Sequence, residues 1–113
     1  MHELGLCDAM LKLARDTMRD EQLEGINKIT VEVGSLSGVV PRFLADCWEA
    51  VIDGTELSET ELVIEEVQGM ARCLDCGAEL PVDLDSPRCP ECGGDKLMPV
   101  SGRDLTVKEI EAY

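Results

Sequence analysis

Two short stretches decide the fold of the later half of the chain. Residues 73–77 are Cys-Leu-Asp-Cys-Gly, and residues 89–94 are Cys-Pro-Glu-Cys-Gly-Gly. Two residues between paired cysteines let both sulfurs reach one ion around a tight turn, and the glycine after each pair suits a backbone with positive φ. The pattern predicts a tetrahedral metal site whose ligands are Cys73, Cys76, Cys89 and Cys92.

Zinc is the metal that this spacing favours, in a structural role. Four thiolates leave no open coordination position, so the ion can stabilise a fold but cannot activate water. Two alternatives remain open from these residues. Iron at four cysteines would make a rubredoxin-like electron carrier, and CxxC pairs also occur in thioredoxin-like redox proteins. The glycine after each pair fits a metal knuckle better than a redox pair.

The segments that flank the cysteines predict a small α+β unit. Apolar residues at steps of three and four predict a helix over residues 3–23 and a second helix that begins at Pro41. Alternating apolar residues predict strands over 28–34, 61–68 and 104–111, although Ile110 is out of phase with the rest of its strand. The predicted core of the sheet consists of Ile29, Val31, Val33, Leu62, Ile64, Leu105 and Val107.

The fold class that follows is α+β: a small mixed three-stranded sheet with two helices, plus an inserted zinc-ribbon-like domain with four cysteine ligands. Residues 1–69 and 103–113 are predicted to form one α/β domain, and residues 70–102 the zinc-binding domain inserted before the last strand. Two strand connections join the parts, which suggests hinge freedom near Gly69 and Gly102. Cys7 and Cys47 lie on apolar helix stripes and are predicted to be buried structural thiols.

The composition excludes several classes of partner. The 113 residues include 10 Lys and Arg against 24 Asp and Glu, for a net charge of −14. Binding to phosphates or to anionic lipid needs clustered basic residues, so neither nucleic acid nor a membrane is expected as a partner. The sequence shows no signal peptide and no apolar run that could span a membrane, so we expect a cytoplasmic protein. Thiols stay reduced there, which favours metal binding over disulfides.

The chain contains one histidine, and it is residue 2. A large second residue favours retention of Met1, whose amine could then chelate an ion together with the backbone nitrogen and imidazole of His2. Glu3 could complete the site with its carboxylate or its backbone nitrogen. Nitrogen-rich, nearly planar ligand sets favour Ni(II) or Cu(II). The alternative is that His2 is an incidental solvated residue and Glu3 favours the start of a helix.

Both ends of the chain resemble one family. Met1-His2-Glu3, the paired CxxC motifs, and residues 33–41 with the sequence Val-Gly-Ser-Leu-Ser-Gly-Val-Val-Pro resemble the HypA/HybF family of hydrogenase maturation nickel metallochaperones. The resemblance implies an exchangeable Ni(II) at the N-terminus, a structural zinc domain, and delivery of nickel to the large subunit of [NiFe]-hydrogenase with the GTPase HypB. The implied nickel ligands are Met1, His2 and Glu3, and the implied zinc ligands are the four cysteines.

The expected function is therefore that of a nickel carrier, not an enzyme, acting as a monomer or weak homodimer. The sequence shows no nucleophile–base constellation and no phosphate-binding glycine loop. Some relatives that also serve urease have histidines beside the zinc cysteines, and this chain has none. The alternative function is a zinc-ribbon protein–protein adaptor with an inert N-terminus and no exchangeable metal.

Overall fold

The computed structural model describes residues 2–83 and 85–113, with His2 described through its backbone alone. Two helices and six strands follow one another along the chain. They are α1 (His2–Glu21), β1 (Ile26–Gly34), α2 (Pro41–Ile52), β2 (Glu61–Val67), β3 (Met70–Cys73), β4 (Glu79–Pro81), β5 (Leu97–Ser101) and β6 (Leu105–Ala112).

The first sheet has the order β2-β1-β6, with β1 parallel to β2 and antiparallel to β6. The alternating apolar residues of β1 turn one face of the central strand into the core, where Ile29, Val31 and Val33 are buried. Both helices contribute to the same apolar cluster through Cys7, Met10, Leu11, Ala14, Leu44, Trp48 and Ile52. The predicted mixed three-stranded sheet with two helices is confirmed. The other predicted core residues of this sheet are partly buried and pack against the same cluster, namely Leu62, Ile64, Leu105 and Val107.

A β-bulge explains why Ile110 is out of phase. Thr30 pairs with Glu109, but its neighbour Val31 pairs with Val107, so Lys108 is an extra residue in β6. The extra residue resets the alternation, and Ile110 pairs with Ile29 and packs against the core.

The first helix ends two residues earlier than predicted, at Glu21 rather than at residue 23. Gln22 adopts a left-handed φ of 55°, and the N–H of Leu23 donates to the carbonyl of Met18 at 2.8 Å. This closure satisfies a carbonyl of the last helical turn. The strand β1 then begins at Ile26, where it pairs with Ala112 near the C-terminus.

The second sheet has the order β4-β3-β5 and is antiparallel throughout. Its buried core consists of Cys73, Leu80 and Cys89, with Ala78 and Leu97 packed against them. None of its three strands was predicted, because they span three to five residues and carry no sustained apolar alternation. Among the helices that the structure describes, none is long and apolar enough to cross a membrane.

Candidate metal centre

Each cysteine pair lies in a tight turn that closes on a glycine. The N–H of Gly77 donates to the carbonyl of Cys73 at 2.8 Å, and the N–H of Gly93 donates to the carbonyl of Cys89 at 2.7 Å. Both glycines have positive φ, 76° and 74°, as the sequence predicted. Cys73 ends β3 and Cys76 follows it in the turn, whereas the second pair lies in the chain between β4 and β5.

The four sulfurs form a compact cluster, with every pair within 4.8 Å. The Sγ atoms of Cys73 and Cys92 are 3.6 Å apart, as are those of Cys76 and Cys89. In a tetrahedral zinc site with Zn–S bonds of about 2.3 Å, the sulfurs lie about 3.8 Å from one another. The donor set and its spacing therefore fit one zinc ion.

Burial divides the four predicted ligands into two classes. Cys73 and Cys89 are buried in the small core of the second sheet, whereas Cys76 and Cys92 are exposed. The site therefore serves as part of the core on one side and faces solvent on the other. Since only three buried residues make up that core, we expect the metal to supply most of the stability of this unit.

The backbone and neighbouring sulfurs shift the thiol pKa values in opposite directions. The N–H of Cys76, with a smaller contribution from the N–H of Asp75, lowers the pKa of Cys73 to about 7. The N–H of Gly94 also lowers the pKa of Cys92, but its hydrogen bond with Cys73, desolvation and the other cysteines outweigh this and raise it to about 12. Cys73 loses its proton readily, whereas Cys92 resists deprotonation. Four thiolates in one cluster repel one another, so a bound cation is needed to balance their negative charge.

Gly94 is a residue of this site that the sequence analysis did not identify. A Cβ at this position would lie 2.6 Å from the Asp75 carboxylate and 3.3 Å from the Cys92 sulfur. Its carbonyl also accepts a hydrogen bond from the N–H of Cys89 at 2.8 Å. The sequence contained a signal for this residue, since two glycines follow Cys92. The turn itself requires only Gly93, which leaves Gly94 to be explained by close packing.

At the other end of the chain, the structure describes the side chain of one of the three predicted nickel ligands. Glu3 is buried, with 7% of its surface exposed, and its Oε2 atom accepts a hydrogen bond from the N–H of Val40 at 3.2 Å. Val40 caps α2, so this carboxylate lies at a helix N-terminus, where backbone N–H groups favour an anion. Met1 and the side chain of His2 lie outside the described part of the structure, and the chelate stays a prediction.

The remaining cysteines belong to the core, as predicted. Cys7 is fully buried and its thiol donates to the carbonyl of Leu44 at 3.5 Å. Burial raises the pKa of Cys7 to about 12, so this thiol stays protonated. Cys47 is partly buried against the same apolar cluster. Within the described residues, no second group of three or more metal-binding side chains lies close enough to hold an ion.

Comparisons with known proteins match this chain over nearly its whole length. The sequence model of a family described as "Hydrogenase/urease nickel incorporation, metallochaperone, hypA" matches residues 1–112. A hydrogenase maturation factor HypA from Rhodopseudomonas palustris strain BisB5 is 35% identical over 98% of this chain and 98% of its own length. The factor of the same name from Geobacter metallireducens is 37% identical with the same coverage.

Two solved structures share the fold. A solution structure described as that of HypA protein superimposes with a TM-score of 0.71 at 19% identity, covering all of this chain and 97% of the other. The solution structure of the nickel metallochaperone HypA from Helicobacter pylori gives a TM-score of 0.66 at 17% identity, covering 97% and 96% of the two chains. The family binds nickel and structural zinc, and the cysteine cluster fits the zinc. On the match over essentially its whole length, the chain belongs to the HypA family of hydrogenase maturation nickel metallochaperones.

Proposed function

We propose that this chain binds Ni(II) at its N-terminus through Met1, His2 and Glu3 and delivers it to [NiFe]-hydrogenase during maturation. The observation that carries the proposal is the family match from residue 1 to residue 112, together with a cysteine cluster that has no open position for an exchangeable metal. A closed site with four thiolate ligands holds its ion for folding, so the cargo needs a second site. The only histidine of the sequence provides one at residue 2.

The contact between Glu3 and Val40 supports a specific role for Glu3. Its carboxylate is buried and accepts a hydrogen bond from the N–H of Val40, the N-cap residue of α2, which anchors the start of α1. A carboxylate held in this way serves the site best by positioning the N-terminal residues. The metal would then be bound by nitrogens, from the Met1 amine, the His2 backbone and imidazole, and the Glu3 backbone. Four nitrogens in one plane suit Ni(II).

The partners of the proposed function are a HypB-like GTPase and the large subunit of [NiFe]-hydrogenase, in the cytoplasm. The chain acts as a carrier and not as an enzyme, and works as a monomer or weak homodimer. The maturation-factor names of the relatives support the hydrogenase partner. The net charge of −14 supports a protein partner with basic residues rather than nucleic acid.

The proposal is tested by maturation in a host that lacks its own HypA. The native chain should restore nickel to the hydrogenase large subunit, measured by metal analysis of the isolated subunit, together with hydrogenase activity. The variant His2→Ala should accumulate to the same level and restore neither. If His2→Ala restores both as well as the native chain does, the N-terminus is inert and the zinc-ribbon adaptor describes the protein better.

A further inference from the structure

The two sheets meet where three glycines pack against one another. Gly34 ends β1, Gly69 lies between β2 and β3, and Gly102 lies between β5 and β6. A Cβ on Gly34 would collide with the carbonyl of Gly102, and a Cβ on Gly102 would collide with the backbone of Gly69. The three backbones are therefore in direct contact, and a swing of the cysteine-containing sheet would have to separate them.

Ser35 and Leu36 hold both of the connections that join the two sheets. The N–H of Ser35 donates to the carbonyl of Val67 at 2.8 Å, at the end of β2. The N–H of Leu36 donates to the carbonyl of Gly102 at 2.8 Å, just before β6. The hydroxyl of Ser35 accepts a hydrogen bond from the N–H of Gly69 at 2.7 Å. One dipeptide thus fixes the chain where it leaves the first sheet and where it returns.

Further contacts close the junction from the side of the second sheet. The Leu36 side chain packs so tightly on Gly69 that a Cβ there would collide with it. The N–H of Val82, which follows β4, donates to the carbonyl of Gly69 at 3.0 Å. The side-chain amide of Gln68 donates to the carbonyl of Val82, also at 3.0 Å. The end of β4 is therefore bound back to the same connection.

We propose that Ser35 and Leu36 form a latch that holds the zinc-binding sheet in one fixed orientation on the α/β unit. The sequence suggested hinge freedom at Gly69 and Gly102, but in the structure these glycines provide close packing. The latch begins the same loop that ends at Val40, the residue that holds Glu3. The protein then presents the start of α1 from Glu3 onward and its cysteine-containing sheet to a partner as one rigid surface. This inference does not depend on nickel binding.

The latch is tested by NMR on the full, zinc-loaded chain. Residual dipolar couplings of amides in both sheets should fit a single alignment tensor in the native protein. The variant Gly69→Ala introduces a Cβ into the contact and should require two tensors. Ser35→Ala removes the acceptor for the Gly69 N–H, and should speed hydrogen exchange of that amide by at least about tenfold. The matched control Ser58→Ala removes an exposed hydroxyl far from the junction and should change neither quantity.

Zinc content and the chemical shifts within each sheet show whether a variant remains folded. If Gly69→Ala does not fold, Ser35→Ala still tests the latch through the exchange rate. Two independent tensors in the native protein would overturn the proposal. An exchange rate of the Gly69 amide in Ser35→Ala equal to that in the native protein would also overturn it, because the Ser35 hydroxyl would then not protect that amide.

Discussion

Glu3 is the one residue of the predicted nickel site whose side chain the structure describes, and this side chain is hydrogen-bonded to the backbone. Its carboxylate accepts the N–H of Val40 in a position that is 7% exposed. Sequence reasoning left open whether Glu3 binds metal by its carboxylate or its backbone nitrogen. The burial of the carboxylate against Val40 favours the backbone nitrogen as the ligand, since a buried carboxylate oxygen is less accessible to an ion.

The variant Glu3→Gln separates these two roles. Glutamine keeps an acceptor for Val40 but loses the charge, so we expect the free energy of unfolding to fall by about 1 kcal/mol. Nickel affinity should stay within about threefold of native, because the backbone nitrogen is unchanged. Calorimetric titration with Ni(II) measures the affinity, and urea denaturation measures the stability. A loss of nickel affinity of about a hundredfold would show that the carboxylate is a ligand.

The thiol pKa values predict how zinc binding responds to pH. The metal-free pKa of Cys92 is raised to about 12, and that of Cys76 is raised above its usual value, so both thiols are protonated at neutral pH. Zinc must displace both protons, and the affinity for zinc therefore decreases as the pH falls. We expect at least two protons released per zinc, so apparent affinity should rise by at least about a hundredfold per pH unit near pH 7.

Titration calorimetry in buffers of different ionisation enthalpy counts the released protons directly. Release of one proton or none would contradict the pKa assignments. Cys73, with a pKa of about 7, is half ionised at neutral pH and adds only a fraction of a proton.

At the scale of the elements, the strands of the first sheet could be predicted and those of the second could not. Strands β1, β2 and β6 are recognisable by apolar alternation, because a sheet covered on one face by helices requires it. Strands β3, β4 and β5 are three to five residues long, and β4 and β5 pair with the two edges of β3. Their sequences carry the ligand spacing and no periodic signal, so the spacing predicted the site while the strands themselves were missed.

The bulge at Lys108 interrupts the apolar alternation of β6, so alternation alone could not predict which later residues of this strand face the core. Strict alternation from Leu105 and Val107 would place Glu109 in the core, but the bulge places Ile110 there instead. We expect Ile110→Ser to lower the free energy of unfolding by about 1–2 kcal/mol through lost apolar burial, since the side chain is partly buried. Glu109→Ser, its neighbour and matched control, should change it by less than about 0.5 kcal/mol. Thermal or urea denaturation compares the two, and a reversed order would show regular pairing without the bulge.

At the scale of the whole molecule, the chain is elongated, with extents of 54 × 25 × 16 Å. Among the described residues, the two sheets have separate cores of unequal size: the first contains thirteen buried residues, and the second contains three, two of which are predicted metal ligands. The expected division into residues 1–69 with 103–113 and residues 70–102 is consistent with these cores and stays a prediction.

Removal of zinc should therefore affect the two sheets differently. With a strong chelator, we expect amide signals of β3, β4 and β5 to collapse to unfolded positions, because three buried residues cannot replace the metal. Signals of β1, α2 and the core of α1 should remain dispersed. Two-dimensional NMR before and after chelation makes the comparison, and re-addition of zinc is the control. Loss of both sheets together would mean that the first sheet cannot fold without the second.

We expect this protein to hold two metals at two sites, a zinc ion that stabilises the fold and a nickel ion that is carried as cargo. Metal analysis of the native chain, His2→Ala and Cys92→Ser, each equilibrated with nickel in slight excess and then desalted, tests it most directly. We predict one zinc and one nickel in the native protein, zinc alone in His2→Ala, and loss of zinc in Cys92→Ser with nickel still bound at the N-terminus. Full nickel binding by His2→Ala, or loss of nickel from Cys92→Ser alone, would contradict the account, because the exchangeable metal would then lie at the cysteines.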